Sequence, residues 1–268
     1  MKKHLVVSDI HGDLEALVCA ANRAGNDFGG FDDVWCLGDV LGRCEPEEAG
    51  ECIEWLQSYP SVCLLGNWDW WIRYQPDCAT KGMVKQEEIE KREMELRKFR
   101  DWLFDDSNEQ IKNYVDAWLN YRTFTELNLT LVHGTPIVDK NDECRHPSQP
   151  YIPGNDDARR VFLAPKDTDN YHIFDSMQRT SVYFTGHHHV PKVYTYFPNT
   201  GRVGVNEVHG DLVDKGFSRV TIDEKNRIIR IGSVSKREPI KKGRPEFRVP
   251  TAMIFDEETR KVTIFEVK

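Results

Sequence analysis

Asp9 and His11 stand two residues apart at the end of the short apolar run Leu5-Val6-Val7, with Gly12 immediately after them. Residues two apart on an extended backbone share one face. The two side chains are therefore expected to point together off the C-terminal end of a buried strand, where open α/β sheets bind ligands. An oxygen donor beside a nitrogen donor reads as half of a metal site. Asp-x-His by itself also reads as a turn acid next to a surface histidine, so the rest of the chain must supply the other half. The sequence offers four further signals of similar type: Gly38-Asp39, Gly66-Asn67, His133-Gly134 and Gly186-His187-x-His189.

Each signal is expected to follow a strand. Asp13 to Gly25 carries Leu14, Leu17, Val18 and Ala21 at helical spacing, with Asp13 placed to cap the helix and Gly25 to stop it. Asp33 to Leu37 and Ser61 to Leu65 read as buried strands, and between them Pro46 opens an amphipathic helix with Cys52, Ile53, Trp55 and Leu56 inward. Strand, helix, strand, helix, strand with short links describes parallel βαβ units. Three polar ligand types at three successive strand ends are more informative than any one of them. Residues 82–120 are dense in charges of both signs on good helix formers, with Met83, Ile89, Leu96, Phe99, Trp102 and Leu103 on an apolar side. This stretch is either a solvated helical pair packed on the sheet or a cap or dimer element beside the site.

Two strand-like runs surround Asn128 before His133-Gly134. Residues 139–165 are polar and proline-rich and read as a long loop suited to substrate selection. A short helix is expected near Thr168 to Gln178, then a strand at Ser181 to Thr185. Six further strands are expected at Val193–Phe197, Arg202–Val208, Phe217–Ile222, Arg227–Val234, Thr251–Phe255 and Lys261–Val267. The basic run Lys236 to Arg248 reads as a solvated loop or a phosphate-steering one.

With 268 residues the chain can bury a substantial core, and residues 1–268 are read as a single domain. A net charge of −8 disfavours nucleic acid as a partner. Seven cysteines without a CxxC pair argue against a disulfide framework and for a reducing compartment. Met1-Lys2-Lys3 leads directly into a strand too short for the apolar region of a signal peptide. No run approaches the roughly 18 apolar residues of a membrane span. The expected location is the cytoplasm, without a membrane partner and with homo-oligomerisation left open.

In their order, their glycines and the final His-x-His, the five signals resemble the calcineurin-type metallophosphoesterase superfamily across about residues 5–235. The likeness is to its small prokaryotic phosphoesterase and phosphodiesterase branch, including members similar to diadenosine tetraphosphate hydrolases. This resemblance implies an α/β (α+β) fold, a four-layer αββα sandwich of two mixed β-sheets flanked by helices. It also implies two metal ions, one on Asp9, His11, Asp39 and His189, the other on Asp39, Asn67, His133 and His187, with Asp39 bridging. Mixed carboxylate, amide and imidazole donors suit Mn or Fe, with Zn an option, better than an all-oxygen Mg²⁺ or Ca²⁺ cage. Ions roughly 3.5–4 Å apart can bridge a hydroxide for in-line attack on a phosphate ester.

Two positions depart from the family pattern. The family's Gly-Asn-His-Asp/Glu is here Gly66-Asn67-Trp68-Asp69, so the histidine that protonates the leaving oxygen is missing. Some branches acting on diesters or dinucleoside polyphosphates also lack it, and a good leaving group needs little protonation. Trp68, with Trp70 and Trp71, is either a platform for a nucleotide base or part of the core. His188 stands where the family has Thr or Ser, either lining the cleft or exposed. Arg43, four residues after Asp39, matches the place of a phosphate-gripping arginine in related protein phosphatases, although Val40-Leu41-Gly42 does not match their signature. Asp39, Asn67, Arg43 and His188 are the expected catalytic residues. The expected substrate is a phosphodiester or nucleoside polyphosphate, the alternatives being a phosphomonoesterase or protein phosphatase, or a non-catalytic metal-binding scaffold. Gly232-Ser233-Val234 is expected to be a structural turn.

Overall fold

The computed structural model describes residues 1–74, 83, 85–134, 182–187, 189–197, 202–222, 227–236 and 249–268. The expected loop 139–165, the helix near 168–178, His188 and all but Lys236 of the basic run lie outside the described residues. Two six-stranded mixed sheets form the framework. The first is built on β1 (Lys3–Val7), β2 (Asp33–Cys36) and β3 (Ser61–Cys63), which run parallel. It is extended on the other side of β1 by the antiparallel β11 (Thr251–Asp256), β12 (Lys261–Glu266) and β9 (Phe217–Thr221). The second sheet has the order β4 (Tyr121–Phe124), β5 (Leu129–Val132), β6 (Val182–Thr185), β10 (Arg227–Arg230), β7 (Lys192–Phe197) and β8 (Arg202–Glu207), with β5, β6 and β10 parallel.

Alternation along the strands explains the two cores. Val6, Trp35, Leu37, Met253 and Phe255 face Leu131, Phe184 and Ile229 of the second sheet, while Leu5, Val7, Val34 and Cys36 point the opposite way, towards helices. Those helices are α1 (Leu14–Phe28), α2 (Pro46–Gln57), α3 (Asn67–Arg73), α4 (Gln86–Leu103) and α5 (Glu109–Asp116). They bury Leu17, Ile53, Leu56, Phe99 and Val115 with Leu5, Val7 and Val34. The described residues thus show a helical layer on the first sheet and the second sheet stacked on its other face. The charged stretch packs its helix α4 on α2, α3 and α5. No described helix is long and apolar enough to cross a membrane.

Three local expectations change. Asp13 caps α1 through the Ala16 N–H, but the helix runs past Gly25 to Phe28 and stops at left-handed Gly29. A helical glycine costs about 1 kcal/mol relative to alanine, and the packing of Phe28 on Phe265 draws the helix onward. The strand expected over 227–234 ends at Arg230, because the chain then leaves the second sheet and bonds to the loop after β1. A short helix, α6 (His209–Lys215), follows β8 where only strands were expected, and its Leu212 enters the core between the sheets.

Candidate metal centre

The expected ligands converge at one edge of the molecule, beyond the C-terminal ends of the parallel strands β1, β2, β3, β5 and β6. The way they converge differs from the sequence expectation. β1 ends at Val7, and Asp9 and His11 are not extended but left-handed, at φ 54° and 47°. Asp39, His187 and His189 share that conformation, at φ 56°, 66° and 56°. Each such residue costs about 1–2 kcal/mol for an L side chain, so the strain must be held by its surroundings. The holding bonds are visible: Asp9 N–H donates to Gly38 O at 2.9 Å, His11 N–H to Asp39 O at 3.1 Å and Gly12 N–H to Val40 O at 3.2 Å. The β1–β2 pairing therefore continues into the loops as an irregular ladder that carries Asp9, His11 and Asp39.

Asp69, one position past the substituted Trp68, secures the next loop. Its buried carboxylate accepts the backbone N–H groups of Asp39 (2.7 Å), Val40 (3.1 Å), Leu41 (2.9 Å) and Gly66 (2.8 Å). In return the Trp68 N–H donates to Asp39 Oδ1 at 2.8 Å. Nothing local in Gly66-Asn67-Trp68-Asp69 marks this acid for that task, because its partners lie 28 to 30 positions earlier as well as beside it. On the other side, Ser8 Oγ (2.6 Å) and the His187 N–H (2.9 Å) both donate to Asp9 Oδ2, and Ser233 Oγ donates to Asp9 O at 2.8 Å. Gly232-Ser233-Val234 is thus a turn fastened under Asp9, with the Val234 N–H on Ser8 O. Two motif glycines are there for close approach. A Cβ at Gly66 would stand 2.1 Å from Asp39 Oδ1, and one at Gly186 would stand 1.8 Å from Ser8 Oγ.

Two groups of donors result, the buried Asp9, His11 and His189, and the buried Asp39 and His133 with the half-buried His187, the candidate ligand atoms of each lying within 4.8 Å of one another. Asn67 joins the second group, its side-chain amide 2.7 Å from His187 Nδ1 and 3.2 Å from His133 Nε2. Its NH₂ turned inward would satisfy those nitrogens by hydrogen bonding, whereas its oxygen turned inward makes three lone pairs converge, as they do on a cation. The first group has no such ambiguity. Asp9 Oδ1 and His11 Nε2 are buried and make no hydrogen bond, although His189 Nε2 lies 2.8 Å from Asp9 Oδ1. Meanwhile His11 Nδ1 faces the carbonyls of Gly42 (3.1 Å) and Leu41 (3.3 Å), and His133 Nδ1 faces Leu37 O at 2.7 Å. Each ring thus spends Nδ1 on the backbone and turns Nε2 inward, the arrangement that metal-bound histidines use. Buried donors without partners are costly, and a cation between them removes that cost.

The electrostatics agree. Burial, assisted by neighbouring Arg43 and His189, lowers His11 to about 4, and burial with His133 lowers His187 to about 3. Both rings are therefore neutral near pH 7, with lone pairs available. Burial opposes ionisation of Asp9 and Asp39, but the surrounding histidines prevail, taking Asp39 to about 2 and Asp9 well below the usual carboxylate range. Against its burial, His133 is raised to about 9 by the charges of Asp39 and Asp9, and a metal would compete with that proton. Burial and Asp39 push Asp69 up to about 7 against its four N–H donors.

The remaining expected residues fall differently. Trp68 is 1% exposed, edge-to-face with Trp71, and is core rather than an open platform for a base. Arg43 is exposed and left-handed (φ 62°), beside the site with its guanidinium 5.8 Å over the Trp68 ring.

A family model described as the calcineurin-like phosphoesterase superfamily domain matches residues 2–225, and the chain belongs to that family. It is a metallophosphoesterase, a hydrolase acting on phosphate esters, and its family implies divalent metal ions for which the two donor groups are candidate sites. The fold is similar to that of a metallophosphoesterase from Sphaerobacter thermophilus, at 22% identity and TM-score 0.63, covering 99% of this chain and 88% of that one. It is also similar to a hypothetical protein from Pyrococcus horikoshii, at 15% identity and TM-score 0.59 with the same coverage. No curated protein matches the sequence.

Proposed function

We propose that the chain is a dinuclear enzyme hydrolysing a phosphodiester or nucleoside polyphosphate. Asp9, His11 and His189 would hold one ion and Asn67, His133 and His187 the other, with Asp39 between them. The observation that carries this reading is the buried His11 Nε2, which has no hydrogen-bond partner, turned inward beside the Asp9–His189 pair in a cradle of left-handed residues. Manganese or iron suits the donor set best, with zinc as the alternative. Such ions supply charge stabilisation for the phosphoryl oxygens and a nucleophile from water at neutral pH. The chain's own contribution is orientation. Asp69 and Ser233 lock the two ligand loops, and the backbone carbonyls on His11 and His133 fix which ring nitrogen faces the centre.

Trp68 supports the substrate preference. It occupies the family's acid position, is sealed from solvent, and its indole N–H has no hydrogen-bond partner. A leaving group there receives no proton from this residue, which favours nucleotides or aryl oxides over alkoxides. The test is reconstitution with Mn²⁺, metal analysis, and turnover of bis-p-nitrophenyl phosphate against an alkyl monoester. The expected result is two ions per chain and faster diester hydrolysis. Faster turnover of the alkyl monoester would overturn the substrate preference, and turnover with fewer than two ions would overturn the dinuclear reading.

A further inference from the structure

Cys36 closes β2 and Cys63 closes β3, and the two are register partners on neighbouring parallel strands. Both belong to the core under the helices rather than to the one between the sheets. Adjacent strands lie about 4.7–4.9 Å apart, inside the Cα separation that a disulfide spans. Neither cysteine is disulfide-bonded. The two thiols interact directly, and the contact polarises the pair. With help from the hydroxyls of Tyr114 (3.5 Å) and Ser61 (3.8 Å), and against its burial, it lowers Cys63. The same contact, joined by burial, raises Cys36. Cys63 is therefore the nucleophile of the pair, since the thiolate is the form that attacks. β3 is also the outer strand of its sheet, and Cys63 keeps 6% exposure where Cys36 has none, which gives a small oxidant a route to its sulfur.

The pair stands directly behind the metal centre. Two residues after Cys36 comes Gly38, then Asp39; three after Cys63 comes Gly66, then Asn67. The Cys36 sulfur receives the Gly38 N–H. The two loops meet without slack, because a Cβ at Gly38 would stand 2.3 Å from Gly66 N. Asp69 ties them by accepting the N–H groups of both Asp39 and Gly66. We infer that Cys36 and Cys63 are a peroxide-sensitive thiol pair whose closure to a disulfide displaces Asp39 and Asn67 and weakens metal binding. This inference rests on the metal reading of the centre and adds a control to it. The Cys63 thiolate attacks one peroxide oxygen and breaks the O–O bond, giving a sulfenic acid and a hydroxide that takes up the Cys63 proton. The Cys36 sulfur then attacks the sulfenic sulfur, the S–O bond breaks, and the departing hydroxide leaves as water with the Cys36 proton. In sum two thiols are oxidised to one disulfide and peroxide is reduced to two waters. Closure needs a Cβ separation of about 3.5–4.5 Å, shorter than the strand spacing, so it draws the two strand ends together. A displacement of about 1 Å at a site costs about a hundredfold.

The test exposes the Zn²⁺-loaded full chain to hydrogen peroxide; zinc has no redox chemistry of its own, so the protein alone is oxidised. Remaining thiols are alkylated in denaturant, and the chain is digested without reductant for peptide mass analysis. Zinc retained against a competing chelator is read on the same sample before denaturation. The expected result is a Cys36–Cys63 cross-linked peptide and zinc binding weakened by about 10–100-fold, both reversed by dithiothreitol. Cys63→Ala should lose the cross-link and the peroxide effect, while its untreated zinc binding stays at the wild-type level. Oxidation of Cys19 or Cys44 with Cys36 and Cys63 still alkylated would overturn the pair. So would a cross-link that leaves zinc affinity unchanged, or zinc loss that persists in Cys63→Ala. If Cys63→Ala does not fold, Cys63→Ser, which keeps a polar group beside Tyr114 and Ser61, decides by the same readings. An untreated wild type that binds no zinc would refute the metal centre itself, whereas zinc held equally well before and after peroxide would refute only the thiol control.

Discussion

The two ends of β1 each bury a histidine among carboxylates, and they could hardly be more different. At the N-terminal end His4 is 2% exposed, stacked on Trp35 at 3.7 Å, with Nδ1 on Asp33 and Nε2 on Glu257 at 2.8 Å. Both its nitrogens are satisfied, and the strand there is regular. At the other end His11 is as buried, yet its Nε2 has no hydrogen-bond partner, and the backbone is left-handed at both His11 and Asp9. A polar group kept for stability finds partners within the fold. One kept for a ligand is held, at a cost in strain and desolvation, with its donor atom turned towards the place the ligand takes.

The comparison can be broken most directly at Asp39. Asp39→Asn should empty both donor groups of metal and lower turnover at least about a thousandfold, since the ions supply several kcal/mol of charge stabilisation. Metal analysis beside a turnover assay checks this, and near-wild-type activity would sink the bridging role. Asp69→Asn should act more mildly. Weakening the carboxylate that receives four backbone N–H groups loosens the Asp39 loop without removing a ligand, and metal affinity should fall by about 10–100-fold. Titration with Mn²⁺ measures it.

His4→Ala sharpens the contrast from the other side. It should cost about 1–3 kcal/mol in denaturant unfolding, by leaving Asp33 and Glu257 without their partner, while metal affinity stays within about threefold. A large loss of metal would show that the two ends are not independent. The smallest effect is expected at Asp116, which pairs with Arg73 and Lys112 to tie α3 to α5. Burial opposes its ionisation, but Arg73 and Lys112 prevail and hold its carboxyl below the usual range. A depressed carboxylate stabilises the fold above its unfolded pKa and loses that contribution as pH falls towards its folded value. Asp116→Asn should therefore cost about 0.2–1 kcal/mol at pH 7, with the difference from wild type vanishing below the carboxylate range.

What was legible in the sequence followed from local chemistry. Asp9, His11, Asp39, Asn67, His133, His187 and His189 could be picked out as candidate ligands because each group of them follows an apolar run and stands within three residues of a glycine. The helices capped by Asp13 and opened by Pro46 announced themselves through spacing and caps. The family's missing acid was equally plain at Trp68. The parallel order of β1, β2 and β3 followed from the lengths of the links between them.

Other features depend on what residues distant in the chain do to one another, and only the tertiary structure decided them. The left-handed turns at Asp9, His11 and Asp39 are held by bonds between loops some 30 residues apart, and His187 by one to Asp9 from far along the chain, which no local preference encodes. The same packing turned Trp68 from an open aromatic into a core residue, and made Asp69 a clamp for a strand end 30 positions earlier. Arg92 is the extreme case. In the sequence it is one charge among many on a polar helix, and it comes to lie over Trp68 only when α4 docks on α3. Ligand identity is a property of side chains and can be read one residue at a time. Strain, burial and the meeting of charges belong to pairs, and pairs exist only once the chain has folded.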